Sequence, residues 1–437
     1  MFPGKWYYGN MYLRGSKWTM NRRSRHINLW RVFLLLGLIS AALYINQVIV
    51  PATPPLFIPT STPTRSPESY VSQAEELFRA GKYTQAVEAY KEAIIADPSN
   101  ATNYVTLARI QVFSGMYDEA ETNAQNALLK NPNNPTAHAV LGWALSFQGK
   151  YADAELEIKK ALSLDPNNAL THAYYAEILV NQGDYGLYDK ASEASKRARE
   201  LDPNLLETHR ARGIVLLNTQ NLEEALEEFQ AALTINKNIA DIHLYLGVTY
   251  KAMGNYDLAQ EALLASYALN PTDTIALTEL SRAFFADGRY PQAAQYAEEA
   301  IKVDPSDPYL HGNLGIVYYK NGEYDKAISE LSLAVRGGVV EEGVVVEGLP
   351  LDYGKVEEYY WYYGFALANS NNCSEAIPVF QTLLITVPND EIAVYNATEG
   401  LAICQNSIQE IPATAPPTET MEPTPETGTD NQPTPEN

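Results

Sequence analysis

Apolar positions follow two patterns along the chain. Residues 32–50, VFLLLGLISAALYINQVIV, are nineteen positions without a charge. As a helix this run would be about 28 Å long, close to the roughly 30 Å hydrocarbon core of a bilayer. From Pro67 onward apolar and polar residues interleave in short helical segments, and the segments recur. Residues 141–168, LGWALSFQGKYADAELEIKKALSLDPNN, show the layout: a short helix, a glycine turn, a second helix and an Asp-Pro stop. Pro166 stands 34 residues after Pro132, which stands 34 after Pro98, and the step from Pro271 to Pro305 is again 34.

The same beat places other residues. Turn glycines fall at Gly81, Gly115, Gly149 and Gly183, and again at Gly254, Gly288 and Gly322. Two positions after each stands a tyrosine, from Tyr83 to Tyr324. At five positions after stand Ala86, Ala120, Ala154, Ala259, Ala293 and Ala327. Glycine reaches the left-handed conformation that ends a helix, alanine lets two helices approach, and proline stops the second helix. In period, turn and small residues the chain resembles the tetratricopeptide repeat over residues 67–410. The resemblance implies an all-α fold, a right-handed solenoid of antiparallel helix pairs.

Departures from the beat are informative. In the fifth copy Gln220 replaces the turn glycine, Leu222 the tyrosine and Lys237 the closing proline, while Ala225 keeps register. Gly186 to Tyr188 lengthen the turn before it. After Arg336 about fifteen residues interrupt the pattern, with valine pairs flanking Glu341-Glu342-Gly343, so a small β-hairpin is expected within 337–354. The beat resumes with Gly364 and Ala376 in phase and Asn371 at the turn, a residue that tolerates positive φ. Residues 391–410 supply one more helix as a polar cap, giving about nine helix pairs and a cap.

Charge divides the chain. The first 67 residues hold eight of the 31 Lys and Arg and no acid, leaving 23 bases against 53 acids in the remainder. Such an acidic body repels phosphate backbones and excludes nucleic acid as a partner. Residues 1–31 form a basic cytoplasmic segment: Arg22, Arg23, Arg25 and Arg31 crowd the near side of 32–50, so a transmembrane helix there leaves the body extracytoplasmic. Met20 followed by Asn-Arg-Arg would equally make a compact targeting start. The other reading of 32–50 is a cleaved signal peptide with a secreted body, although the small-x-small site near its end is poor. Residues 51–66 form a proline-rich linker that could reach roughly 50 Å at about 3.1 Å per residue. Residues 411–437, with seven prolines, five acids and no base, are expected to be disordered.

Chemistry finds little footing. His138, His172, His209, His243 and His311 each stand eleven residues before their turn position, one equivalent site per repeat, spaced about 10 Å apart and so unable to share a metal ion. Gly149-Lys150 fails as a phosphate loop at Ala144 and Tyr151. No metal, cofactor or catalytic constellation is expected, and no enzyme. Cys373 takes a turn tyrosine's place and Cys404 lies just before the cap's turn position. Turns of stacked repeats lie side by side, so these thiols can meet in a disulfide that staples the cap; two buried free thiols are the alternative.

The resemblance places binding on the concave surface, lined mainly by first helices. By phase that surface takes Phe78, Arg109, Phe113, Trp143, Phe147, Arg210, Lys251, Arg282, Phe285, Tyr319, Lys320, Trp361 and Phe365. Aromatics interleaved with bases suit a protein or peptide segment with acidic and apolar side chains. The expected function is a membrane-anchored scaffold or adaptor in the cell envelope. Alternatives are the targeting arm of an enzyme such as a glycosyltransferase, and an inert structural spacer.

Overall fold

The computed structural model describes residues 28–49, 65–340 and 343–409. The basic segment up to residue 27, most of the linker and the tail beyond 409 lie outside the described residues. The chain divides into two units, residues 1–64 and 65–437. In the first, an α-helix Leu29–Tyr44 runs into a wider π turn, Ile45–Ile49. Leu29–Val48, 20 residues at a mean hydropathy of 1.7, is the one described stretch long and apolar enough to cross a membrane, and none of it is buried.

The second unit is an all-α solenoid. Its repeats one to three are the pairs Pro67–Arg79 with Tyr83–Ala96, Ala101–Phe113 with Tyr117–Lys130, and Pro135–Phe147 with Tyr151–Leu164. Repeats four to six are Ala169–Asn181 with Tyr188–Leu201, Leu206–Asn218 with Leu222–Ile235, and Ala240–Ala252 with Tyr256–Leu269. Repeats seven to nine are Thr274–Ala286 with Tyr290–Val303, Pro308–Lys320 with Tyr324–Arg336, and Lys355–Asn369 with Cys373–Thr386, and Glu391–Gln409 closes the stack.

Local chemistry explains many of the boundaries. Five first helices open on side-chain caps: Asn100, Asn134 and Asn168, then Asp273 and Asp307, each accept a first-turn backbone N–H. They close where the turn glycine enters the left-handed region, as at Gly149 (φ +73°), with Lys150 N–H donating to the Leu145 carbonyl at 3.0 Å. Gln220 (φ +61°) and Asn371 (φ +59°) adopt the same conformation without glycine's freedom. The phased alanines are fully buried between paired helices. At Gly142 the approach is so close that a Cβ would lie 2.8 Å from the Ala154 carbonyl oxygen.

The insertion after repeat eight contains a two-stranded antiparallel sheet, β1 Gly338–Val339 and β2 Val345–Val346, paired Gly338↔Val346 and Val339↔Val345. It folds back onto its own repeat, where Leu349 N–H donates to the Ala334 carbonyl at 2.8 Å. Two main apolar cores run through the stack, one through repeats one to six and one from repeat six to the closing helix. The first half also winds onto itself: Gly81, at the turn of repeat one, lies against Asn238 and Leu269.

Candidate functional site

Because repeats one to six wind until the first meets the link between the fifth and sixth, their concave face is an interior. Phe113, Trp143 and Arg210, expected on an accessible groove, are buried. Aromatic rings form a column there: Phe78 to Phe113 at 5.6 Å, Phe113 to Trp143 at 5.2 Å, and Trp143 stacked on Tyr174 at 4.2 Å. Arg210 lies against the faces of Phe113, Trp143 and Tyr245 and pairs with Glu177 and with Asp241 at 2.7 Å. Trp143 Nε1–H donates to Glu177 at 2.7 Å. Burial holds the Glu177 carboxyl above the usual range, against the opposing pull of Arg210 and the indole.

Arg109 crosses from repeat two to grip the Glu207 carboxylate of repeat five. It is half-buried with Phe78 along a cavity of about 440 Å³, while Phe147 stacks on Tyr117 at 4.8 Å beside a second of about 280 Å³. Arg109 thus joins repeat two to repeat five, and Phe147 joins repeat three to repeat two. Lys251 is likewise engaged, by Glu279 of repeat seven.

The five phased histidines serve the same architecture. Each Nε2 lies within 3.1 Å of the backbone carbonyl that closes the preceding repeat, at Pro132, Pro166, Pro203, Lys237 and Pro305. In His209 and His311 the other ring nitrogen meets a carboxylate, Glu228 at 2.7 Å and Glu330 at 2.6 Å. The hydrogen bond to Glu228 raises the His209 imidazole above its ordinary range, and at His311 burial pulls down but the Glu330 and Pro305 contacts outweigh it.

Repeats seven to nine differ. Their first helices, with the second helix of repeat seven, enclose an open pocket of about 240 Å³ with an apolar floor of Phe285, Leu310, Ile316 and Val317 and a rim of Arg282, Lys320, Lys355, Glu358 and Tyr362. Arg282 leans on Glu279 at 2.6 Å and Lys355 on Glu358, whereas exposed Lys320 makes no ion pair among the described residues; its ammonium lies 5.3 Å from the Tyr362 ring. Burial pushes the Glu279 carboxyl up, but Lys251 and Arg282 outweigh it and hold it below its usual value. The rim is therefore cationic inside an acidic protein.

An aromatic patch adjoins it. Tyr319 lies 5.1 Å from Tyr362 and 6.4 Å from Phe365, and half-buried Trp361 lies 6.4 Å from Tyr362. Of the expected groove residues, this half gathers Arg282, Phe285 and Lys320 in the pocket and Tyr319, Trp361 and Phe365 beside it. Lys355, Glu358, Tyr362 and Asn313 were not expected. Lys355 starts the helix that follows the insertion, where phase is lost, and Asn313 and Tyr362 occupy a helix position that phase assigns to packing.

Cys373 and Cys404 are joined by a disulfide that ties repeat nine to the closing helix, with Cα atoms 5.4 Å apart. Among the described residues no group of three or more His, Cys, Asp or Glu could hold a metal ion.

Tetratricopeptide-repeat sequence models match residues 77–144, 135–168, 218–254, 244–308 and 278–338. A search of curated proteins finds no match to the sequence. Among solved structures, the APC/C hetero-tetramer Cut9-Hcn1 superposes with a TM-score of 0.54 at 16% identity, covering 84% of this chain and 82% of that one. The human IFIT1 dimer with m7Gppp-AAAA superposes with a TM-score of 0.50 at 19% identity, covering 79% and 83%. At such identities the likeness is one of fold alone.

Proposed function

We propose, for a chain that is a tetratricopeptide-repeat protein, the role of a scaffold that binds an acidic, partly apolar peptide segment of a partner in the pocket of repeats seven to nine. Arrays of this kind are generally scaffolds for protein–protein interaction. The observation that carries the reading is the cationic rim of Arg282, Lys320 and Lys355 over an apolar floor, in a protein of formal net charge −22. Three bases concentrated at one concave face attract a negatively charged segment, and the floor and aromatic patch reward one that also carries apolar side chains. Arg109, Trp143 and Arg210 serve the solenoid itself in this reading and contact no partner.

The apolar helix Leu29–Val48 supports anchoring in a membrane. The basic residues that precede it in sequence favour a cytoplasmic N-terminus and an extracytoplasmic array, with the Cys373–Cys404 staple suited to an oxidising compartment. Protease shaving of intact cells tests this orientation, and an array that stays protected would overturn it.

Pocket binding is tested with fluorescein-labelled acidic and basic peptides of matched apolar content, titrated onto the full chain in detergent micelles at low and high salt. Acidic peptides should bind, more weakly as salt rises, and the double variant Arg282→Glu, Lys320→Glu should reverse the preference. Equal binding of both charge classes would sink the reading, and binding of neither would favour an inert spacer.

A further inference from the structure

The chain carries its own segment of the chemistry that the pocket recognises. Residues 419–426, ETMEPTPE, hold Glu419, Glu422 and Glu426 with Met421 and two prolines, and no base follows anywhere to residue 437. Against it stand three bases and one rim carboxylate, with Tyr362 on the rim and Tyr319, Trp361 and Phe365 alongside. Prolines pack on aromatic surfaces at little conformational cost and carboxylates pair with the ammonium and guanidinium groups, so the match is one of side-chain chemistry and charge.

Reach is sufficient. The closing helix packs against both helices of repeat nine and ends at Gln409. At roughly 10 Å between neighbouring helices, the pocket walls on repeats seven to nine lie about 20–30 Å from it. Ten residues separate Gln409 from Glu419 and thirteen separate it from Glu422, enough for about 35 and 45 Å when extended.

We propose that residues 419–426 dock in the pocket of repeats seven to nine of the same chain, so that a partner segment must displace them. This rests on the reading of the pocket as a site for acidic peptides. Tethering sets an effective concentration in the millimolar range, so even a segment of only ~0.1 mM intrinsic affinity would weaken a competitor about tenfold.

The test uses the full chain in detergent micelles and a fluorescein-labelled peptide of residues 415–430, read by anisotropy. The triple variant Glu419→Gln, Glu422→Gln, Glu426→Gln, whose changes lie outside the repeats, should bind the peptide about tenfold more tightly than the unaltered chain. Adding Lys320→Glu, or Arg282→Ala with Lys320→Ala, should remove that binding while the circular dichroism of the array is unchanged. Equal, measurable affinity for the unaltered chain and the triple variant would overturn docking of the segment and leave the pocket reading standing. Failure of the triple variant to bind the 415–430 peptide would also overturn it. Acidic peptides of other sequence, titrated onto that variant, then show whether the pocket reading falls as well.

Discussion

Tyr83 of repeat one donates its hydroxyl hydrogen to the backbone carbonyl of Asn238, 155 residues away, at 3.0 Å. The same hydroxyl accepts the Ala240 N–H at 3.0 Å, and the Asn238 side chain returns a bond to the Arg79 carbonyl at 2.8 Å. Repeat one is thereby latched to the start of repeat six, and burial pushes the Tyr83 phenol well above its ordinary range.

Tyr83→Phe keeps the ring and removes both bonds, leaving the Ala240 N–H without its acceptor. A loss of about 1–3 kcal/mol is expected in urea unfolding. The specific readout is hydrogen exchange, in which the Ala240 amide should lose protection while amides of repeats eight and nine keep theirs.

Arg210→Met should cost about 3–5 kcal/mol, because Glu177 and Asp241 would face each other in the interior without their shared cation. Adding Glu177→Gln and Asp241→Asn to that variant should recover a large part of the loss. Urea midpoints of the single and triple variants decide the matter, and equal midpoints would show that the charges do not act as one network.

His209 and His311 make stability depend on pH. Both have folded values raised above about 6.5: hydrogen bonding to Glu228 leads for His209, and for His311 the Glu330 and Pro305 contacts outweigh burial. A raised value favours the folded state fully below the unfolded value, and the gain is lost as pH rises through the folded one. The urea midpoint should therefore fall as pH rises above about 6.5, and His209→Gln with His311→Gln should flatten that fall.

The Cys373–Cys404 disulfide closes a loop of sequence separation 31, for which chain entropy gives roughly 3–4 kcal/mol. Alkylation followed by mass measurement should find no free thiol before reduction and two after it. Cys404→Ala should speed hydrogen exchange in the closing helix Glu391–Gln409 and leave repeats one to six unchanged.

Gln220→Gly should stabilise the array by about 0.5–1 kcal/mol, since Gln220 holds φ +61° at a turn that glycine occupies elsewhere. The gain is the steric cost removed less the added freedom of the unfolded chain. Thermal unfolding of the variant measures it.

The repeat was legible in the sequence because each token answers a local need. A glycine turn, a buried alanine and a closing proline act within one helix pair, and even the valine-flanked hairpin reports on neighbours a few residues apart. Which concave residues stay accessible was not legible, because it depends on the small rotation between repeats summed over five of them. Phase placed Trp143 on the concave face and could not show that repeats one to six close over it. One signal was present: Trp143 and Glu177 stand 34 apart, as do Glu207 and Asp241, so a donor and three acids recur at matched positions of adjacent repeats, set against Arg109 and Arg210. Lys355 was hidden for another reason, since it starts the helix that follows the insertion, which breaks the count on which phasing relies.

The latch between repeats one and six changes how this array should come apart. A solenoid whose repeats touch only their neighbours unravels piecemeal, each copy adding a similar increment. Here the contacts of Tyr83 with Asn238 and of Arg109 with Glu207 span five repeats and three, so the first six form a block that gains its full stability only when complete. Repeats seven to nine are joined in sequence order, with the last tied to the closing helix by the Cys373–Cys404 disulfide. The open pocket therefore lies outside that block.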